Sequence, residues 1–235
     1  MREHLVAIHQ PNFFPWLGYF DKLRRADSFI FLDDVQFPKT GGAWTNRVTI
    51  LQQQKAHWLT APIDRKYHGL RNVNAMHFAA TDWREAALRQ LQAAYQKAPF
   101  AQEVFALITP LLMNPTTNIA DYNIHAVTQL CAALGLSTRL QRSSALAIEG
   151  VATERLIALT KAVGGTQYLC GGGADGYQQD ALFAQAGLGL VYQQFTPTPY
   201  PQKNTPEFVG GLSIIDALMF HGTTTLQGML ACQKQ

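Results

Sequence analysis

HLVAIHQPNFFPWLGYFDKLRRADSFIFLDD, residues 4–34, sets two compact apolar runs on either side of a proline-bounded aromatic elbow and a helix-like stretch. HLVAIHQ reads as a strand buried on both faces, and Pro11 stops its ladder because proline has no N–H to donate. LGYFDKLRRA spaces Leu17, Phe20 and Leu23 for one helix face, with Lys22, Arg24 and Arg25 on the other, and DSFIFLDD reads as a second buried strand. Strand, helix, strand is the opening unit of a parallel sheet.

The same alternation returns in the last third. STRLQRSSAL is predicted as strand, TERLIALTKAVGG as helix, TQYLCG as strand, GADGYQQDALFAQAG as helix and LGLVYQQF as strand. A Pro-rich loop, TPTPYPQKNTPEF, then leads to the helix LSIIDALMF, with Ser213 as N-cap and Asp216 in the first turn. Between the two parts, NRVTIL and HWLTAPI alternate about QQQKA as an antiparallel hairpin does, and NAMHFA reads as a short strand. TDWREAALRQLQAAYQKA is a helix with Asp82 and Glu85 in capping-box spacing, AQEVFALITPLLMN is helical with a kink or a break at Pro110, and IADYNIHAVTQLCAALGL closes on Gly135. The expected fold class is α/β: a three-layer, doubly wound, mostly parallel sheet with an inserted antiparallel hairpin (about 40–80) and a helical middle segment (about 81–136). All of this is expected to form one domain over residues 1–235.

Of the 235 residues, 47% are hydrophobic and 15% charged, enough to bury a full core. A formal charge of +3, with Lys and Arg scattered, carries no nucleic-acid footprint. Cys131, Cys170 and Cys232 match no zinc spacing and read as reduced, buried thiols. The first residues are too short an apolar run for a signal peptide, and no run reaches the length of a membrane span, so a cytoplasmic protein without membrane insertion is expected.

Ligands of open parallel sheets collect beyond the carboxyl ends of the strands. Four predicted strand ends carry polar residues: His9, Gln10 and Asn12; Asp33 and Asp34; Arg142, Ser143 and Ser144; and the glycine loop from Gly171 and Gly172 to Asp175. His9 is a candidate general acid or base, because imidazole titrates near neutrality. Asp33 and Asp34 can hold a metal, accept sugar hydroxyls, orient His9 or simply make an Asx-turn; adjacent side chains diverge in an extended chain, so one of the two faces the site. GGGADGY can cradle phosphate on backbone N–H groups or serve as a tight turn with Asp175 as N-cap. Lys39, Arg47 and Arg65 are candidate anion clamps, and Trp44 can stack on a sugar or base. No GxSxG, CxxC or HExxH pattern occurs, so neither covalent serine or cysteine catalysis nor a metal site is expected.

IHQPNFFPWLGYFDKL, ADSFIFLDDVQFPK, WTNRV, WLTAPI, YLCGGGADGY, YPQ and LSIIDALMFHG together resemble the WbqC-like family, across essentially the whole chain. Its members occur in bacterial O-antigen and other surface-glycan gene clusters, and some are proposed to transfer an amino acid or acyl group onto an amino sugar. The residues matching its pattern are His9, Gln10, Pro11, Asn12, Trp16, Gly18, Tyr19, Asp33, Asp34, Gln36, Lys39, Trp44, Asn46, Arg47, Gly171, Tyr177, Tyr200, Gln202, Ser213 and Asp216. The resemblance assigns no catalytic residues among them. It implies a transferase moving an acyl or aminoacyl group onto a nucleotide-linked amino sugar, with an acyl or aminoacyl donor or a nucleotide as cofactor. In the expected mechanism His9 takes the amine proton, Asp33 or Asp34 orients it, and Arg47 or the Gly171 loop holds phosphate. The opening is also similar to that of nucleotidyltransferases with an HxGH helix start, but Trp16 and Tyr19 stand where both histidines would be. A nucleotide-dependent ligase or nucleotidyltransferase is therefore a second expectation, and a non-enzymatic binding protein of the same pathway a third.

Overall fold

The computed structural model describes residues 3–38, 43–80, 82–171, 179–202 and 205–232, leaving aside the Cys232 side chain. Five parallel strands form the main sheet: β1 (Leu5–His9), β2 (Ser28–Phe31), β5 (Arg139–Arg142), β6 (Gln167–Cys170) and β7 (Gly189–Tyr192). A separate antiparallel pair, β3 (Arg47–Gln52) and β4 (Lys55–Thr60), is the expected hairpin. Its two-residue turn holds Gln53 and Gln54 at positive φ, as the twist of hairpin strands demands.

The order across the main sheet is β5-β2-β1-β6-β7. Numbered among themselves, these strands run 3-2-1-4-5, so the chain reverses its direction of travel across the sheet between β1 and β6. Alternation along β1 shows why both faces are covered. Val6 and Ile8 join Leu159, Tyr168 and Phe183 in one apolar cluster, whereas Ala7 joins Phe20, Phe29 and Leu169 in the other. Burying a side chain of this size contributes about 1.5–3 kcal/mol. The first face carries α6 (Ala152–Ala162) and α7 (Asp180–Gln185). The second carries α1 (Leu17–Arg25), the helical middle segment of α2 (Trp83–Tyr95), α3 (Ala101–Leu112) and α4 (Ile119–Ala133), and α8 (Ile214–Cys232), which packs on α1, α3 and β3.

Local details depart from the sequence reading. NAMHFA is no strand: residues 73–75 make a 3-10 turn, and only isolated bridges, Ile63 to Phe78 and His77 to Asn118, follow. STRLQRSSAL divides into β5 and a one-turn helix, α5 (Ser143–Leu146), because side chains hold Ser143 and Ser144 at the strand end. Pro110 neither kinks nor splits α3, because it falls in the last turn before the helix ends at Leu112. Asp82 precedes α2 without a side-chain capping bond, so the capping box does not form. The last helix runs past Phe220 and breaks at Gly222 (φ 72°), where a Cβ would stand 2.6 Å from the Phe100 ring. Lys22 and Arg24, expected on a solvated face of α1, are 3% and 9% exposed.

Candidate functional site

Where neighbouring strands of a parallel sheet send their connections to opposite faces, a crevice opens beyond their carboxyl ends. Here it opens beyond β1 and β6 as a cavity of about 640 Å³. His9, Gln10 and Ile8 line it from the end of β1, Tyr168 and Gly171 from β6, Asp34 and Gln36 from beyond β2, Arg155 from α6 and Lys22 from α1.

The cavity's charges are unequally matched. The Arg155 guanidinium donates to Asp34 Oδ2 at 2.6 Å and to the Ile148 carbonyl at 3.2 Å, so Asp34 neutralises it. Among the described residues Lys22 has one hydrogen-bond acceptor, the Ile8 carbonyl at 3.2 Å, and its ammonium lies 6.0 Å from the centre of the Tyr168 ring. Burial lowers its pKa to about 8, against a smaller opposing pull from the nearby Cys170 sulfur. The same cation, acting second to burial, helps lower the pKa of His9 to about 4. His9 is therefore a neutral imidazole at physiological pH. Its Nδ1 lies 3.2 Å from the Gln10 carbonyl, which can only accept, so Nδ1 carries the hydrogen and Nε2 is left as the acceptor.

Neither aspartate orients His9. Asp33 is fully buried and caps α5, accepting from the Ser144 backbone N–H at 3.0 Å and the Ser144 hydroxyl at 2.7 Å. Asp34, the one that faces the cavity, is held by Arg155 and by Ser143, whose Oγ lies 2.5 Å away. The expected divergence of the two side chains holds, while the expected contact with the imidazole does not form, because serines and an arginine from β5–α6 reach both carboxylates.

The elbow after β1 is a structural junction. The Tyr19 hydroxyl donates to the Gln10 carbonyl at 2.9 Å, and its ring meets the His9 ring edge-on at 4.9 Å; burial pushes its pKa well above the phenolic range. Asn123 of α4 donates to the carbonyls of Pro11 at 2.8 Å and Thr45 at 2.7 Å, tying the elbow to the hairpin. Ser213 donates to the Phe14 carbonyl at 2.7 Å, at a residue strained to φ 40°. The Trp16 indole lies across Gly18, where a Cβ would come within 2.4 Å of the ring. Asn12 is buried, and neither it nor Trp16 nor Tyr19 lines the cavity.

A sequence profile described as the WbqC-like protein family matches residues 10–227, from the end of β1 into α8. The chain belongs to the WbqC-like family. It is also similar to a Mycobacterium tuberculosis protein named "Uncharacterized protein Rv1507c", 29% identical over 230 residues that cover 97% of this chain and 99% of that one. No solved structure matches the chain.

Apart from those of the elbow, the family's described motif residues separate into three places in this WbqC-like fold. His9, Gln10, Asp34, Gln36 and Gly171 meet at the cavity, with Asp33 behind them. Tyr200 and Gln202 instead surround Asp216: the Tyr200 hydroxyl donates to Oδ2 at 2.6 Å, Gln202 to the same oxygen at 2.8 Å, and Tyr95 to Oδ1 at 2.9 Å. At the hairpin, Asn46 is buried and donates to the Ala61 carbonyl at 3.0 Å. Arg47 lies 4.1 Å over the Trp58 ring, and Trp44, half exposed, meets Trp58 at 5.4 Å. Lys39, Gly172, Asp175 and Tyr177 lie outside the described residues. Of the cysteines, Cys131 and Cys170 are buried and in no disulfide. Among the described residues no helix is long and apolar enough to cross a membrane.

Two of the cavity's charged residues, Lys22 and Arg155, were not candidates from sequence. Lys22 carried a usable signal: it stands four residues after Gly18 and three after Tyr19, and so shares their helix face. Arg155 carried none, because its partner Asp34 is 121 residues away.

Proposed function

We propose that this WbqC-like chain is a cytoplasmic enzyme of surface-glycan assembly that transfers an acyl or aminoacyl group onto a nucleotide-linked amino sugar bound beyond β1 and β6. The observation that carries the reading is the neutral His9 imidazole, with Nε2 free to accept, on the wall of a cavity shared with a buried ammonium. In this mechanism the sugar amine attacks the donor carbonyl, His9 Nε2 takes the proton the amine sheds, and the tetrahedral adduct collapses to the amide by breaking the donor's thioester or ester bond, whose thiolate or alkoxide leaves and takes up that proton. Asp34 serves by holding Arg155 at the rim and does not touch the imidazole. The family's occurrence in glycan gene clusters supports the substrate class.

The test is mass detection of acylated product from UDP-glucosamine with acyl-CoA and aminoacyl donors. Wild-type protein is expected to form product, and His9→Ala, folded by circular dichroism, to lose about 100-fold or more in kcat. Full activity in that variant removes His9 from the mechanism, and no product from any donor removes the transfer.

The strand order and the cavity's position favour a second reading, a nucleotide-dependent ligase or nucleotidyltransferase. Against adenylyl transfer of the HxGH kind, Trp16 covers Gly18 and Tyr19 is committed to the Gln10 carbonyl, so neither supplies a group to the cavity. Calorimetric binding of ATP with magnesium would favour this reading. A pathway protein without catalysis would bind the amino sugar and form no product.

A further inference from the structure

We propose that the Lys22 ammonium is the seat of a phosphoryl oxyanion bound in the cavity beyond β1 and β6. The inference rests on that cavity being the ligand site and does not require the transfer reaction.

Lys22 is only 3% exposed, yet among the described residues no carboxylate lies within ion-pair distance of it. An ammonium so buried, with one carbonyl to donate to, leaves two donor hydrogens and its charge without a partner among the described residues, an arrangement that is costly unless a partner is supplied. The other groups at the cavity do not supply one. Asp34 is spent on Arg155 and Ser143, His9 is uncharged, and the Tyr168 ring offers only its face at 6.0 Å. Among the described residues the lining charges therefore sum to one excess positive charge, located on Lys22.

The room for a ligand lies beside that charge. Among the described residues a Cβ built at Gly171 would meet a single neighbour, Lys22 Nζ at 4.0 Å, so these residues leave open space next to the ammonium. The position is the end of β6 at the strand-order reversal, where dinucleotide-binding sheets seat phosphates. A lysine binds phosphate as a point charge and needs no planar partner. The lowered pKa of about 8 agrees, because it records the cost of burying the charge, which a bound anion would offset by raising the pKa again.

The experiment is calorimetry on the full chain at pH 7 with pyrophosphate, acetate and UDP-glucosamine as separate probes. Pyrophosphate and UDP-glucosamine are expected to bind and to compete, and acetate not to displace them. Lys22→Met is expected to weaken both by about 10- to 100-fold, the equivalent of one lost charge-assisted bond. Gly171→Val, which fills the space while keeping the lysine, is expected to weaken them as well. Wild-type affinity in a folded Lys22→Met, no binding of either phosphate probe, or acetate binding in their place overturns the inference. Pyrophosphate held on Lys22 without acyl transfer overturns the transfer reading alone, and transfer at wild-type KM in Lys22→Met overturns the anion seat alone.

Discussion

Lys22 and Asp216 are both charged side chains sealed inside the protein, 3% and 0% exposed, and the chain treats them in opposite ways. Around Asp216 it has gathered three donors from two separate segments: Tyr95 of α2, and Tyr200 and Gln202 of the loop before α8. Burial nevertheless raises the Asp216 pKa above its ordinary value, outweighing the three bonds that favour the carboxylate. Around Lys22 the described residues offer one carbonyl and an open cavity. A charge surrounded by donors from distant segments closes the fold at that point. A charge left facing a cavity is a cost the folded chain carries alone, of the kind that marks functional sites.

The sharpest way to break this contrast is to remove each charge. Asp216→Ala strands two buried hydroxyls and an amide, and should destabilise by about 3–5 kcal/mol. A fall in Tm of roughly 6–15 °C in thermal denaturation is expected; an unchanged Tm would show that the cluster does not hold the last helix. Lys22→Met should do the reverse, stabilising the chain by about 1–3 kcal/mol at pH 7 after the loss of its bond to Ile8.

The sign of that gain follows from the protonation states. The folded pKa of Lys22, about 8, lies below the 10.5 of the free side chain, so the penalty of the charged form is fully present below pH 8 and fades as pH rises to 10.5. Denaturation of Lys22→Met and wild type at pH 7 and pH 10 should therefore show the gain shrinking; a constant difference would mean that Lys22 is not the group titrating.

His9 sharpens the comparison in the acid range, with the smallest effect. Its folded pKa of about 4 lies below the free value of 6.5, so the stability it contributes is present above pH 6.5 and lost as pH falls toward 4. His9→Gln should lose roughly 1–2 kcal/mol less than wild type between pH 7 and pH 5. Parallel pH profiles for the two would place the acid sensitivity elsewhere.

Much of the architecture was legible because periodicity is local. β1, α1, β2, the hairpin and the late strand and helix units each bury or expose faces at the expected spacing, and the parallel doubly wound sheet follows from their order. Errors came where a distant partner overrode a local pattern. Ser143 and Ser144 left the strand to bond Asp33 and Asp34, and Lys22 left the solvated face because helix α1 turns its Gly18–Tyr19 side inward. The candidate site was legible as a sheet edge, since strand ends carried its polar residues. Tyr200 and Gln202 belonged instead to Asp216, a pairing across a proline-rich loop that no spacing rule covers.

By itself, then, the sequence determined the element order, the parallel sheet and the edge at which His9, Asp34 and Gly171 meet, because hydrophobic period and turn residues act over a few neighbours. Only the tertiary structure decided which charges cancel. Asp34 finds Arg155, Asp33 finds Ser144, and Lys22 finds no carboxylate among the described residues, because ion pairing depends on distances between segments more than a hundred residues apart.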